Sequence, residues 1–137
     1  MDVISENKEL LSRYPKTLDR LLKWEKANLL KFQEAVVASM DQTQEIVVPE
    51  INQDTVADLL YSNWYFNPRR FYDFFDTVNV VVLLVYGGEG FYYSINGNNS
   101  DKYFYNRVEA ETAAFLEALS LSEIAIAAEE ASEPQTN

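Results

Sequence analysis

The sequence contains no cysteine and no histidine among its 137 residues. The absence of cysteine excludes disulfides, thiolate metal sites and cysteine nucleophiles. The absence of histidine removes the commonest nitrogen ligand of transition metals and the usual general base. The chain also lacks an apolar run long enough for a membrane helix and the features of a secretory signal. We therefore expect a cytoplasmic protein that uses no cofactor and no metal and that does not enter a membrane.

Positive charge is scarce and unevenly distributed. The net charge is −11, from 11 Lys and Arg against 22 Asp and Glu. Residues 41–137 hold four basic against sixteen acidic side chains, a net charge of −12. A field of this sign repels nucleic acid and anionic membranes and attracts basic proteins. The same charge is also explained by solubility alone, which is the interpretation that the composition by itself favours.

Residues suited to catalysis are few. Without Cys and His, a catalyst would need paired carboxylates, a Ser-Lys arrangement or an acidic magnesium site. The sequence has no phosphate-binding loop, EF-hand spacing or G-x-S-x-G motif. Glu109 and Glu111 are two residues apart on a predicted helix, so their side chains point in different directions. We therefore predict that the protein is not an enzyme.

The first part of the chain has the pattern of helices. Residues 4–13 predict a short helix that ends before Pro15, and Pro15 suits the first turn of a longer one. Thr55 and Asp58 approximate a capping box for a third helix. Apolar residues at helical spacing predict that the longer helix faces the core through Leu18, Leu21, Leu22, Leu29, Phe32, Val36 and Met40. The connector between them, residues 41–53, contains EIVVP, a candidate edge strand.

The stretch YFNPRRFYDFF, residues 65–75, has two interpretations. Its six aromatic side chains beside two arginines are typical of a surface that stacks single-stranded bases. Asn67 and Pro68 also suit the start of a helix, with Phe66 and Phe71 as a hydrophobic staple. Because the surrounding half of the chain is strongly acidic, we favour the helix and predict no direct binding to nucleic acid.

The second half predicts a sheet followed by helices. Residues 78–86 form the strongest strand, and GGEG and GNNSD separate it from two further strands. The pairing of Tyr86 with Phe91 and of Asn96 with Asp101 would complete the meander. Residues 108–131 predict two helical segments with a capping box of Ser120 and Glu123 at the break. We expect an α+β fold: N-terminal helices, a three-stranded antiparallel meander at about 78–107, and C-terminal helices packed on the sheet. Residues 1–131 would be one domain, and 132–137 a disordered tail.

The two faces of this sheet differ from a one-sided sheet, in which alternation leaves the outer face polar. One face is a core surface carrying Val80, Val82, Leu84, Phe91, Tyr93, Ile95 and Phe104. The other is also apolar, with Val81, Leu83, Val85, Tyr92, Tyr103 and Tyr105. Either the helices of the chain cover both faces, or the second face is an interface, where tyrosine is common.

These observations favour a non-enzymatic, acidic protein-binding module with a basic protein partner. Such a module could be an inhibitor, immunity or anti-defence factor acting on a nucleic-acid-handling protein, in its sharpest form by nucleic-acid mimicry. The candidate partner-binding residues are Tyr92, Tyr103 and Tyr105 on the sheet and Glu109, Glu117 and Glu123 on the following helix. Two alternatives stay open: a self-assembling structural or adaptor subunit, which would form a homo-oligomer, and a small-ligand-binding protein.

Overall fold

The computed structural model describes residues 3–40, 50–62 and 68–132, which contain five helices and three strands. The helices are α1 (Val3–Ser12), α2 (Pro15–Ser39), α3 (Gln53–Tyr61), α4 (Pro68–Thr77) and α5 (Arg107–Ser132). Strands β1 (Val82–Tyr86), β2 (Phe91–Ile95) and β3 (Asn98–Asn99) form one antiparallel sheet in the order β1-β2-β3. The predicted α+β architecture is confirmed, with α5 packed on the sheet.

Proline and asparagine set the starts of three helices. Pro15 and Pro68 are the first residues of α2 and α4, as the sequence predicts. In α3 the cap is Asn52, whose side-chain oxygen accepts the backbone N–H of Thr55 at 2.9 Å. The predicted capping box of Thr55 and Asp58 is therefore wrong, because the better capping residue three positions earlier starts the helix. The candidate edge strand EIVVP, the cap and staple residues Asn67 and Phe66, and tail residues 133–137 lie outside the described residues.

The first hairpin has the predicted register. Tyr86 lies opposite Phe91, and the Gly87 N–H donates to the Gly90 carbonyl at 2.9 Å. The strand before it is shorter than predicted, because Asn79 adopts a φ of 63° and ends α4 in a turn. β1 therefore begins at Val82 rather than at residue 78.

The second hairpin differs from the prediction. Its turn is Asn96-Gly97, with φ angles of 52° and 86°, and Ile95 lies opposite Asn98. Asn-Gly favours a two-residue hairpin turn, which needs positive φ at both positions. The predicted pairing of Asn96 with Asp101 is therefore wrong. The third strand is therefore shorter than predicted. After it, the chain pairs with β2 again at an isolated bridge between Phe91 and Phe104.

The C-terminal segment is one helix of 26 residues rather than two. It contains no proline or glycine, so nothing in its backbone interrupts the helix. The predicted break at Ser120 is wrong, and Glu123 caps a different helix. α5 also extends to Ser132, one residue into the predicted tail.

The core lies between one face of the sheet and the helices. Phe71 and Phe75 of α4 contact Phe115 of α5, and Phe74 contacts Trp24 of α2. The four phenylalanine side chains are each at most 2% exposed. Burial of one such side chain stabilises the fold by about 1.5–3 kcal/mol. The sheet contributes its predicted core face through Val80, Val82 and Ile95, which are buried.

The apolar stripe of α2 enters this core only in part. Leu21 and Leu22 are buried, whereas Phe32, Val36 and Met40 are 69%, 37% and 46% exposed. The buried residues of α2 all precede Lys26. The prediction that the whole stripe faces the core is therefore wrong from Phe32 onward, whereas Leu18 and Leu29 pack against the core as predicted.

Candidate functional site

The face of the sheet that points away from α4 and α5 is apolar and accessible. Val81, Leu83 and Tyr103 on this outer face are 45%, 58% and 52% exposed. Val85 and Tyr92 lie between them, opposite each other on β1 and β2, and are half-buried. Successive residues of a strand point to opposite faces. Because Val82 and Ile95 enter the core, Leu83, Val85 and Tyr92 point outward. We call Val81, Leu83, Val85, Tyr92 and Tyr103 the outer sheet face.

Two of the predicted tyrosines form a fixed pair on this face. The rings of Tyr92 and Tyr103 are 5.5 Å apart at 75°, an edge-to-face contact. Both rings lie against Gly87, where an added Cβ would be 2.8 Å from Cε1 of Tyr103 and 3.3 Å from Cε1 of Tyr92. Such ring pairs contribute about 0.5–1.5 kcal/mol beyond their buried area. The two side chains are therefore held in place before any partner binds.

Tyr105 lies beyond this pair and is 91% exposed. It follows the bridge residue Phe104, whose carbonyl accepts the Phe91 N–H at 2.9 Å. Because the bridge holds the preceding residue, the backbone of Tyr105 is anchored to the sheet while its ring is in solvent. The structure thus brings Tyr92 and Tyr103 together and leaves Tyr105 at the periphery.

The predicted acidic residues do not share this face. Glu109 is exposed in the first turn of α5, and its backbone N–H donates to the Asn106 side chain at 2.9 Å. Glu117 lies beside Tyr93, a residue of the core side of the sheet. The pKa of Tyr93 is raised to about 12, chiefly by burial and also by a hydrogen bond to Glu117 and the negative charge of that residue. Because α5 packs on the core side, Glu117 is on the opposite side of the sheet from Tyr92.

Glu123 has a structural role that the sequence did not reveal. Its carboxylate accepts the backbone N–H of Thr17 at 2.8 Å and that of Lys16 at 3.2 Å. These are unpaired donors of the first turn of α2, where Tyr14 provides no side-chain cap. Glu123, a candidate partner-binding residue, is therefore engaged within the chain through these two hydrogen bonds.

A second accessible feature is a cleft between α4, α5 and β1, along the edge of β1 that lies away from β2. Arg69 of α4 reaches Glu111 of α5 across it, with 2.7 Å between Nε and Oε1. The hydroxyl of Tyr72 donates to the Glu111 carbonyl at 3.0 Å, and burial raises the pKa of this tyrosine well above its usual value. From the sequence, Glu111 was considered only together with Glu109 as a carboxylate pair whose side chains point in different directions, and Arg107, which also lines the cleft, was not identified as a site residue. No local motif signals this cleft, since its residues come from four separate elements.

The described segments, residues 3–40, 50–62 and 68–132, hold no group of three acidic side chains placed to bind a metal ion. Likewise, no helix within them is both long enough and apolar enough to cross a membrane. Comparison of the chain with protein-family models, with curated proteins and with solved structures finds no match.

Proposed function

We propose that the protein is a non-enzymatic protein-binding module that binds a basic protein through its outer sheet face. The observation that carries this proposal is the exposure of Val81, Leu83 and Tyr103 on one continuous side of the sheet. The solvent side of an antiparallel sheet is ordinarily polar, and contiguous exposed apolar patches mark interaction sites. Tyr92 and Tyr103 supply rigid aromatic anchors of the kind that dominates binding energy.

Charge indicates the kind of partner. The net charge of −11 repels a second copy of the chain and attracts a basic surface. Exposed Glu89 and Asp101 lie in segments that border the outer sheet face, after β1 and after β3. The proposed partner therefore presents apolar side chains to the outer sheet face and basic side chains around them. Inhibitor, immunity and anti-defence roles are particular forms of this proposal.

Nucleic-acid mimicry has less support than the sheet face. Nucleic-acid mimicry needs solvent-exposed carboxylates in the positions of phosphates, but several acidic side chains of α5 form ion pairs or hydrogen bonds within the chain. Glu129 and Glu130 form ion pairs with Arg20 and Lys16 of α2, and Glu123 caps the same helix. We therefore assign long-range attraction to the acidic surface and the contact itself to the sheet.

Affinity capture from the host with matched variants tests this function. The bait would be the full chain, compared with the double variant Leu83→Thr/Tyr103→Thr and with Ile124→Gln. Ile124 is 67% exposed on α5, so its substitution removes an equally accessible apolar group away from the outer sheet face. We expect a basic protein to bind the wild type and the Ile124 variant and to be lost with the double variant. An acidic partner, or one indifferent to the double variant, would contradict the proposal.

Binding of the purified partner would then be measured by surface plasmon resonance at increasing salt. Association should slow steeply, because screening acts within a Debye length of about 8 Å at physiological ionic strength. Tyr103→Thr should mainly speed dissociation, since it removes a desolvated anchor. Association that is insensitive to salt would rule out attraction by the acidic surface.

Self-assembly is a second candidate function, favoured by one observation on α2. Phe32, Val36 and Met40 expose an apolar stripe on a helix whose first half is in the core. Such a stripe can pair with the same helix of another copy. Light scattering after size exclusion would show an oligomer that Phe32→Gln dissociates. A monomer at high micromolar concentration would exclude it.

A further inference from the structure

The cleft beside β1 has the dimensions of a small-molecule site. It encloses about 350 Å³ between the outer edge of β1 and the first turns of α4 and α5. Ligand sites commonly measure about 300–1,000 Å³. Its lining consists of Arg69, Tyr72, Val82, Leu83, Leu84, Tyr86, Phe91, Arg107 and Glu111.

One wall of the cleft is aromatic and apolar. The rings of Tyr86 and Phe91 are 5.2 Å apart, and the Arg107 guanidinium lies 5.9 Å from the Phe91 ring centre. Val82 and Leu84 lie below these rings on the core side of β1. A planar apolar group would contact this wall over its face, while a polar end would meet the guanidinium.

The charge of the cleft contrasts with that of the chain around it. Residues 41–137 contain only four basic side chains, and two of them, Arg69 and Arg107, line this one cleft. Glu111 faces Arg69 and neutralises it. Arg107 forms no ion pair with any residue that the structure describes. The cleft therefore carries one uncompensated positive charge in a strongly acidic part of the molecule.

We propose that this cleft binds a small organic anion with a planar apolar body. The body lies against Tyr86 and Phe91, and the carboxylate or an equivalent anionic group contacts Arg107. A guanidinium is the side chain best suited to a planar anionic group, and stacking on an aromatic ring fixes its position. The volume suits one small molecule rather than a protein surface. This site borders the outer sheet face, with which it shares Leu83, but the contacts with Tyr86, Phe91 and Arg107 do not depend on the proposed partner.

Amide chemical shifts of the isotope-labelled full chain, titrated with benzoate and with its neutral analogue benzamide, test the site. Benzoate should shift the resonances of Leu83, Leu84 and Phe91, with a dissociation constant of about 1 mM or lower. Benzamide should bind about tenfold more weakly, since a charged hydrogen bond is lost. Equal binding of the two, or no shift at about 10 mM benzoate, would overturn the proposal.

Matched variants identify the group that selects the anion. Arg107→Gln should remove the preference for benzoate, and Arg107→Lys should keep part of it. Lys102→Gln is the control, because it removes the same charge from a residue that stacks on Phe104 and does not line the cleft. A preference that survives Arg107→Gln would also overturn the proposal. So would shifts in β1 on dilution without benzoate, which would show that a second copy occupies the cleft.

Discussion

Glu123 of α5 caps α2 by accepting the backbone N–H of Thr17, at 2.8 Å. The two residues are 106 positions apart in the chain, so this cap joins the last helix to the second one. Capping carboxylates near a helix N-terminus also interact favourably with the helix dipole. The contact therefore stabilises both the start of α2 and its packing on α5.

Removal of this cap should destabilise the fold. We expect Glu123→Ala to lower the free energy of unfolding by about 1–2 kcal/mol, in the range of lost N-caps. Glu123→Gln should cost less, because the amide oxygen still accepts a hydrogen bond. Urea denaturation followed by circular dichroism measures both changes. Glu34→Ala, at an exposed position of α2, is the control and should stay within about 0.5 kcal/mol of the wild type.

The buried ion pair between α2 and α4 gives a second test. The Glu25 side chain is 0% exposed and its Oε2 lies 3.1 Å from Nη2 of Arg70, whose side chain is 39% exposed. Arg70→Met keeps most of the apolar stem but removes the guanidinium that faces a buried carboxylate, so we expect a loss of about 2–3 kcal/mol. The double variant Glu25→Leu/Arg70→Met should recover part of that loss, which calorimetry would measure.

The matched control for this pair is Arg13→Met. Arg13 pairs with Glu9 at 3.4 Å on the surface, where the side chains are 65% and 53% exposed. Exposed pairs contribute little, so the change should be below about 1 kcal/mol. If the Arg13 and Arg70 variants lost equal stability, the buried pair would not have the role assigned to it.

Alanine substitution should lower stability by different amounts at two glycines of the hairpin turns, Gly90 and Gly97. Gly97 has a φ of 86° with nothing within 4 Å of an added Cβ, so Gly97→Ala should cost about 1–2 kcal/mol from backbone strain alone. At Gly90, with φ 152°, the Cβ would also lie 2.7 Å from the Phe104 carbonyl oxygen. We therefore expect Gly90→Ala to cost more and to weaken the bridge between Phe91 and Phe104. Thermal unfolding and amide exchange at Phe91 would measure the loss of stability in each variant. A larger loss for Gly97→Ala than for Gly90→Ala would contradict this prediction.

The raised pKa of Tyr93 predicts a loss of stability at alkaline pH. Its folded pKa is about 12, against about 10 in an unfolded chain. The unfolded state therefore releases this proton first, and the contribution to stability, complete below pH 10, falls as pH rises toward 12. Tyr93→Phe should flatten this part of the stability profile. Glu117→Gln should lower the pKa of Tyr93, which ultraviolet difference titration would detect; an unchanged titration would refute the role of Glu117.

The sequence by itself determined most of the local structure. Pro15 and Pro68 mark helix starts because a fixed φ and a missing N–H suit the first turn, whatever the rest of the chain does. The alternation in β1 and β2 likewise assigned Val82 and Ile95 to the core and Leu83 and Tyr92 to the other face. The local preference of Asn-Gly for positive φ also specifies the turn at Asn96 and Gly97. The predicted pairing of Asn96 with Asp101 had put this turn further along the chain.

Tertiary structure alone decided which of these residues are accessible and what they contact. Ser120 and Glu123 have the local pattern of a cap, but packing of α5 on α2 presents Glu123 to the donors of Thr17. The stripe of α2 has one periodicity throughout, yet Leu21 and Leu22 are buried while Phe32 is exposed. Periodicity defines a face of a helix or strand, whereas burial depends on what packs against it. The cleft between Arg69 and Arg107 arises in the same way, from elements that only folding brings together.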